Sequence, residues 1–193
     1  MKNKIFIISA PSGAGKTTLV TSVIKEVSSI TPIQRVVTYT TKEARHTESS
    51  SDYNFLSIEE FEKRIEENYF LEWSRAYQNY YGSPKYILDQ LHESSFILIV
   101  DWKGGESLKK VLSPDISVFI WIKVDDPLIL QDRLLKRGTE NSEQIKKRIE
   151  VSLKEIEQEK ATPIFSHYIY NVDLDEALKE LKKLIFSNLN IKK

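Results

Sequence analysis

KIFIIS (4–9), APSGAGKT (10–17) and KTTLVTSVIKEVSS (16–29) run into one another, and their succession decides the fold. The first is an unbroken β-rich apolar run, as expected of a parallel strand covered on both faces. The last places Leu19, Val23, Ile24 and Val27 at helical spacing. The order is therefore strand, glycine loop, helix.

The loop fits G-x-x-x-x-G-K-(S or T) at Gly15, Lys16 and Thr17, with Ala10 where the first glycine usually stands. Holding a triphosphate requires close backbone N–H donors, a mobile cation and a hydroxyl for Mg²⁺. Gly13 and Gly15 permit the close approach, Lys16 reaches the β- and γ-phosphates, and the Thr17 hydroxyl is the candidate metal ligand at a helix start that already favours anions. The candidate donor cradle is Ala10, Pro11, Ser12, Gly13, Ala14, Gly15, Lys16, Thr17 and Thr18. A glycine turn that merely joins two elements is the alternative, but it gives no reason for Lys and Thr at the helix start. Alanine at position 10 is harmless if φ there is negative and costly if φ must be positive.

The chain has 193 residues, enough for one sizeable core with small insertions. Twenty-eight basic residues balance 28 acidic ones, so a nucleic-acid polymer is not expected as partner. With no cysteine, disulfides, thiolate metal sites and cysteine nucleophiles are excluded, and a cytoplasmic protein fits. The apolar run in MKNKIFIISA is too short for a signal peptide. No stretch approaches a membrane span.

FILIVD (96–101) and SVFIWIKV (117–124) read as further buried strands with helical patterns between and after them, which argues for an α/β fold. The expected architecture is a parallel sheet core flanked by helices, with an inserted small mixed α/β lobe and a helical lid. The core covers 1–34, 90–130 and 155–193, the lobe 35–89 and the lid 131–154. In the lobe, RVVTYTT, DYNFLS and NYYGS alternate around one helical stretch, SIEEFEKRIEENYF (57–70). Gly138 breaks the charged helical region into two helices. HYIYNV reads as a last strand, and a closing helix carries Leu174, Leu178, Leu181 and Ile185 on one face.

Seven stretches occur in an order and spacing that carry a family resemblance: SAPSGAGKTTL, TYTTKEAR, DYNFLSIEEF, FLEWSRAYQNYYGS, VDWKGG, RLLKRGTENSEQIKKRI and YNVDLDEAL. The chain resembles the guanylate kinases over nearly its whole length, and A-P-S-G-A-G-K is a form that the family also uses. The resemblance implies a cytoplasmic P-loop nucleoside monophosphate kinase with ATP and Mg²⁺ as cofactors, GMP and dGMP as acceptors, and a monomeric or homodimeric state.

Residue by residue, the resemblance assigns Glu72 to reading guanine. A carboxylate offers two acceptors to the adjacent N1–H and N2–H₂ donors of guanine, whereas adenine presents an unprotonated N1. Thr38 and Ser83 supply hydroxyls near the base, with Gly82 beside them. Lys42, Arg45, Tyr53 and Tyr81 stand where the family binds the acceptor phosphate. Lysine at 42 replaces an arginine, which keeps the charge and loses the bidentate fork, so weaker acceptor binding is expected. The link HTESSSD is one residue shorter than the family's loop and lacks its glycines, and Gln78 replaces a usual glycine. Asp101 ends the FILIVD strand and serves the acceptor or the metal region, while Ile99 stands where a second aspartate is frequent.

In the lid, Arg133 and Arg137 are four apart on one helix face, and Arg148 lies one helix later. Arginines closing over the equatorial oxygens provide most of what phosphoryl transfer requires. The resemblance makes Lys16, Arg45, Arg137 and Arg148 the candidate catalytic residues and sets Arg133 and Asn171 beside the donor. A solvated charged helix is the alternative for each arginine, and a buried turn asparagine for Asn171. His46, His92 and His167 show no metal spacing, and Trp73, Trp102 and Trp121 read as packing residues. The charged run from 143 to 160 reads as an exposed helix with i,i+4 pairs. A non-catalytic protein-interaction domain and a P-loop kinase for another small phosphorylated acceptor are the rival functions.

Overall fold

In a computed structural model, the described residues are 3–44, 50, 52–76, 78–124, 126–138 and 141–191. The elements are β1 (Ile5–Ser9), α1 (Lys16–Val27), β2 (Ile33–Arg35), β3 (Thr38–Thr40), β4 (Tyr53–Phe55), α2 (Ile58–Glu66), β5 (Phe70–Ala76) and β6 (Asn79–Pro84). There follow α3 (Tyr86–Asp89), β7 (Ser95–Ile99), α4 (Trp102–Val111), β8 (Ser117–Lys123), α5 (Pro127–Arg137), α6 (Ser142–Ala161), β9 (His167–Tyr170) and α7 (Leu174–Asn188).

Among the described residues, one sheet has the order β2-β7-β1-β8-β9 with every neighbouring pair parallel. Its central strand, β1, pairs Ile5 with both Phe96 and Ser117, and all five of its residues are buried. Side chains alternate across a strand, and the core divides accordingly. Phe6 and Ile8 pack with Leu19, Val23 and Val27 of α1 and with Leu181 and Ile185 of α7. Ile5 and Ile7 face the other way, toward Leu108 of α4, Trp121 and Phe165. The expected α/β core is borne out, as is the strand-loop-helix order at its start.

A second, mixed sheet has the order β4-β3-β6-β5, with β3 parallel to β4 and the other pairs antiparallel. Beside it, α2 opens on a capping box: the Ser57 hydroxyl accepts from the Glu60 N–H at 3.1 Å, and the Glu60 carboxylate accepts from the Ser57 N–H at 2.8 Å. The helix stops at Glu66 rather than running to Phe70, because Asn68 turns the chain at φ 55 and Phe70 enters β5. Phe70 and Tyr80 then stack on Phe61 at 4.5 and 5.1 Å between ring centroids. Tertiary packing thus takes over the last turn of a helical pattern.

Pro127 stands at the start of α5, where its missing N–H is not needed, and Asp126 caps the helix by accepting from the Leu128 N–H at 2.8 Å. Gly138 ends α5 at φ 65, as the break in the sequence pattern requires. Asn141 and Gln144 form a second capping box, and α6 continues for 20 residues. Its charged surface differs from expectation on one face, where Ser152 and Glu159 are buried. In α7, Leu181 and Ile185 are buried and Leu178 packs against the core, but Leu174 is exposed. No helix among the described residues is long and apolar enough to cross a membrane.

Candidate active site

Ala10 follows β1 directly and is buried, and it is absent from the positive-φ positions of the described chain. Alanine is therefore unstrained there. The loop bends where only glycine is comfortable, at Gly13 (φ 86) and Gly15 (φ 83). A Cβ on Gly13 would lie 2.8 Å from the Leu130 carbonyl oxygen of α5, and one on Gly15 would lie 2.6 Å from Nδ2 of Asn171. Segments distant in sequence thus set the loop's shape. Asn171 donates through Nδ2 to the Ala14 carbonyl at 2.7 Å, and its Oδ1 is buried without a partner. The Ser12 N–H donates to Ser152 at 2.9 Å, and Arg148 donates to the Ser12 hydroxyl at 3.0 Å.

Lys16 folds back to donate to the carbonyl oxygens of Ala10 and, at 3.3 Å, Pro11. Burial lowers its pKa from the ordinary value, while the charges of Glu155 and Asp101 oppose the shift. Arg133 donates to the Val172 carbonyl at 3.3 Å, leaving a second guanidinium nitrogen buried and unpartnered. Thr17 and Thr18 are exposed in the first turn of α1.

The mixed sheet supplies the opposite wall. Glu72 on β5 sits directly across from Ser83 on β6, and the Ser83 hydroxyl donates to Glu72 Oε1. Glu72 Oε2 is buried without a partner. Desolvation pushes the carboxyl up to about 8, with Ser83 opposing the shift and Asp101 adding to it. Space for this oxygen depends on Gly104, where a Cβ would lie 2.9 Å from Oε2. Asp101 lies two residues beyond the end of β7 and caps α4, accepting from the Gly104 N–H at 2.7 Å. Its other oxygen accepts from the Ser74 hydroxyl at 2.7 Å, so this residue belongs to a helix start rather than to a strand end.

Thr38, Lys42, Tyr53 and Tyr81 line the same space. Thr38 is buried on β3 opposite Tyr53 of β4, whose ring is 6.3 Å from that of Tyr81 and 4.4 Å from Lys42 Nζ. Gly82 has a packing requirement of its own, since a Cβ would meet Phe70 and Phe61 at 2.8 and 2.9 Å. Arg45, expected beside the acceptor phosphate, lies outside the described residues, as does most of HTESSSD.

One cleft of about 580 Å³ is lined by both walls together with Arg133, Arg137 and Arg148. Apart from Arg45, every expected site residue lines it. Four further residues were missed by reading the sequence. Ser74 is on the Glu72 face of β5 by simple alternation, a signal present in the pattern but unused. Arg35 pairs with Asp52 at 3.2 Å along the cleft. Glu155, which burial raises to about 7, carries no local mark that separates it from the other charges of α6.

Mg²⁺ takes few protein ligands and completes its shell with waters and phosphate oxygens. An exposed Thr17 hydroxyl beside a phosphate-shaped loop fits that donor set, and the described residues hold no group of three or more His, Asp or Glu that could form a protein cage. His92 is exposed and His46 lies outside the described residues. Trp102 and Trp121 are buried, whereas Trp73 is exposed against Tyr80. The cleft can therefore hold a phosphorylated nucleotide at its loop and a donor-rich planar group at Glu72.

A family model described as guanylate kinase matches residues 2–188. The guanylate kinase of Shewanella sp. strain MR-7 is 33% identical over 189 residues, covering 96% of this chain and 88% of the relative. That of Chlamydia caviae is 36% identical over 187 residues, covering 95% and 88%. A crystal structure of guanylate kinase from Anaplasma phagocytophilum shares the fold with a TM-score of 0.76 at 23% identity, covering 96% of this chain and 85% of that one. With the glycine loop, the buried Glu72–Ser83 pair and the arginines converging on one cleft, and with matches along nearly the whole chain, the protein belongs to the guanylate kinase family.

Proposed function

We propose that the chain transfers the γ-phosphoryl group of Mg-ATP to GMP or dGMP, giving ADP and GDP or dGDP. The observation that supports this best is the pairing, within one cleft, of a phosphate loop carrying Lys16 with a buried carboxylate, Glu72, that has an oxygen to spare. Guanine N1–H and N2–H₂ satisfy that carboxylate, and the Ser83 and Thr38 hydroxyls fix the base edge. Adenine would leave an acceptor facing an acceptor in a buried site, a mismatch that discriminates strongly.

Lys42, Arg45, Tyr53 and Tyr81 hold the acceptor phosphate, Arg45 on the strength of its motif position. The loop from Ala10 to Thr18 wraps the donor phosphates, with Arg133 and Asn171 at the adenosine side. The Thr17 hydroxyl would hold Mg²⁺, which would supply charge neutralisation at the donor phosphates. Lys16 leaves the carbonyls of Ala10 and Pro11 for the phosphates as they enter. Arg137 and Arg148 approach the equatorial oxygens of the group in flight, where charge is spread in the transition state. No covalent intermediate is required, because holding the two nucleotides in line is itself a large part of catalysis.

The lobe (35–89) and the lid (131–154) act as the closing parts that exclude water as a competing acceptor. The acting species is a monomer or homodimer, and a cytoplasmic place of action fits a cysteine-free chain whose substrates are free nucleotides. The test is a coupled assay of ADP release across GMP, dGMP, AMP, UMP and CMP. GMP is expected to lead, and Glu72→Gln is expected to lower kcat/KM for GMP by about 100-fold or more. AMP or a pyrimidine nucleotide outpacing GMP would sink the assignment of Glu72.

A further inference from the structure

Four side chains of α6, at 148, 152, 155 and 159, follow one another at intervals of four, three and four residues and therefore share one helix face. The first two grip the phosphate loop, Arg148 donating to the Ser12 hydroxyl and Ser152 accepting from the Ser12 N–H. Of the next two, Glu155 lines the cleft and Glu159 reaches the start of α4 and the segment leading into β9. Glu155 is within electrostatic reach of the Lys16 ammonium, which attracts it, and of the Asp101 carboxylate, which repels it. Glu159 is buried and accepts from the Trp102 indole N–H at 2.9 Å.

Trp102 is the first residue of α4, immediately after its cap Asp101. Asp101 in turn holds Ser74 of β5, whose side chain lies on the same face as that of Glu72. The base of α6 is fastened to α4 a second way, through Phe165. Its N–H donates to Glu159 at 3.2 Å, and its ring packs where a Cβ on Gly105 would come within 2.6 Å. A continuous path of packed and hydrogen-bonded groups thus runs from Ser12 through α6 and Trp102 to the carboxylate pocket.

We infer that α6 is the strut that couples the two nucleotide subsites, with Glu155 and Trp102 as positioning residues; this rests on the kinase reading above. Donor phosphates draw on Ser12, Lys16 and Arg148, so their arrival biases the position of α6. Through Trp102 that bias reaches the first turn of α4 and the Asp101–Ser74 contact beside Glu72. Coupling of this kind is reciprocal: whatever the donor does to acceptor affinity, the acceptor does to donor affinity.

The experiment is calorimetric titration of GMP into the full chain, with and without a saturating β,γ-imido analogue of ATP and Mg²⁺. For the wild type, the donor analogue is expected to tighten GMP binding by about fivefold or more. In Glu155→Gln, which is isosteric, and in Trp102→Phe, which removes the indole N–H, that ratio falls to within about twofold of one. The ratio is taken within each variant, so a change in GMP affinity common to both titrations cancels. A merely structural role would weaken binding equally with and without donor and leave the ratio intact, which overturns the inference. A wild-type ratio near one also overturns it. If Trp102→Phe does not fold, Glu155→Gln decides alone. Failure of the kinase reading is separate, since it appears as a wild type that moves no phosphoryl group to GMP.

Discussion

Glu72 combines two features that rarely coexist in a buried side chain: one oxygen bonded to Ser83 and another with no partner. Burial pushes the carboxyl up to about 8, so before guanine binds it is mostly protonated at pH 7. Guanine, by contrast, offers donors and selects the carboxylate. GMP binding should therefore release up to one proton between about pH 6 and 7, less as pH rises past 8, with apparent affinity increasing over the same interval. Calorimetry in buffers of different ionisation enthalpy measures the release directly. Buffer-independent heats at pH 7 would contradict it, and Glu72→Gln should remove the effect. Lys42 makes a different point: its ammonium lies 4.4 Å from the Tyr53 ring centre, a position that a guanidinium could share while adding a bidentate fork. Lys42→Arg is expected to lower the KM for GMP by about three- to tenfold with a smaller change in kcat. An unchanged or raised KM in steady-state assays would count against its placement at the acceptor phosphate.

Among the elements, the hairpin joining β5 to β6 explains a departure that the sequence only registered. Gln78 occupies the turn at φ 68, in the left-handed region that disfavours a side chain, and this is where the family usually has glycine. Gln78→Gly should raise stability by about 0.5–1 kcal/mol, the relief of φ strain exceeding the added freedom of the unfolded chain. A rise of about 1–4 °C in Tm is the expected reading by differential scanning calorimetry. No change, or a fall, would mean that the turn favours its glutamine through contacts that offset the strain. Glycine at 138 gives the complementary case, since its left-handed conformation ends α5 as the break in the periodic pattern suggests. Element ends written in local chemistry, such as the capping box of α2 and the Pro127 start of α5, carry their signal in the sequence although only the Gly138 break was used. The far end of α2 was not legible, because stacking of Phe61 on Phe70 and Tyr80 draws Phe70 into a strand. Nothing local in SIEEFEKRIEENYF distinguishes that outcome from another helical turn.

At the level of the whole molecule, two sheets face one cleft, and what each residue does depends on which sheet or helix meets it there. The parallel core was legible because buried parallel strands must be continuously apolar, and KIFIIS, FILIVD and SVFIWIKV meet that condition. The shape of the glycine loop was legible because its positive-φ positions, Gly13 and Gly15, demand glycine, with Lys16 and Thr17 following at the helix start. Family motifs brought most of the residues on the mixed-sheet side of the cleft within reach. Glu155 and Glu159 were read as two more charges on a solvated helix, although one lines the cleft and the other is buried against Trp102. Arg35 and Ser74 likewise gain their place from partners on other segments, Asp52 and Asp101. By itself the sequence determined the α/β core, the strand-loop-helix order around the glycine loop and the family, because these depend on local periodicity and on residue types at short fixed spacings. Only the tertiary structure decided which carboxylates are buried, which are paired and which retain an unpartnered oxygen. Desolvation and hydrogen bonding are set by neighbours brought together from distant parts of the chain, such as Glu159 against Trp102, 57 residues apart.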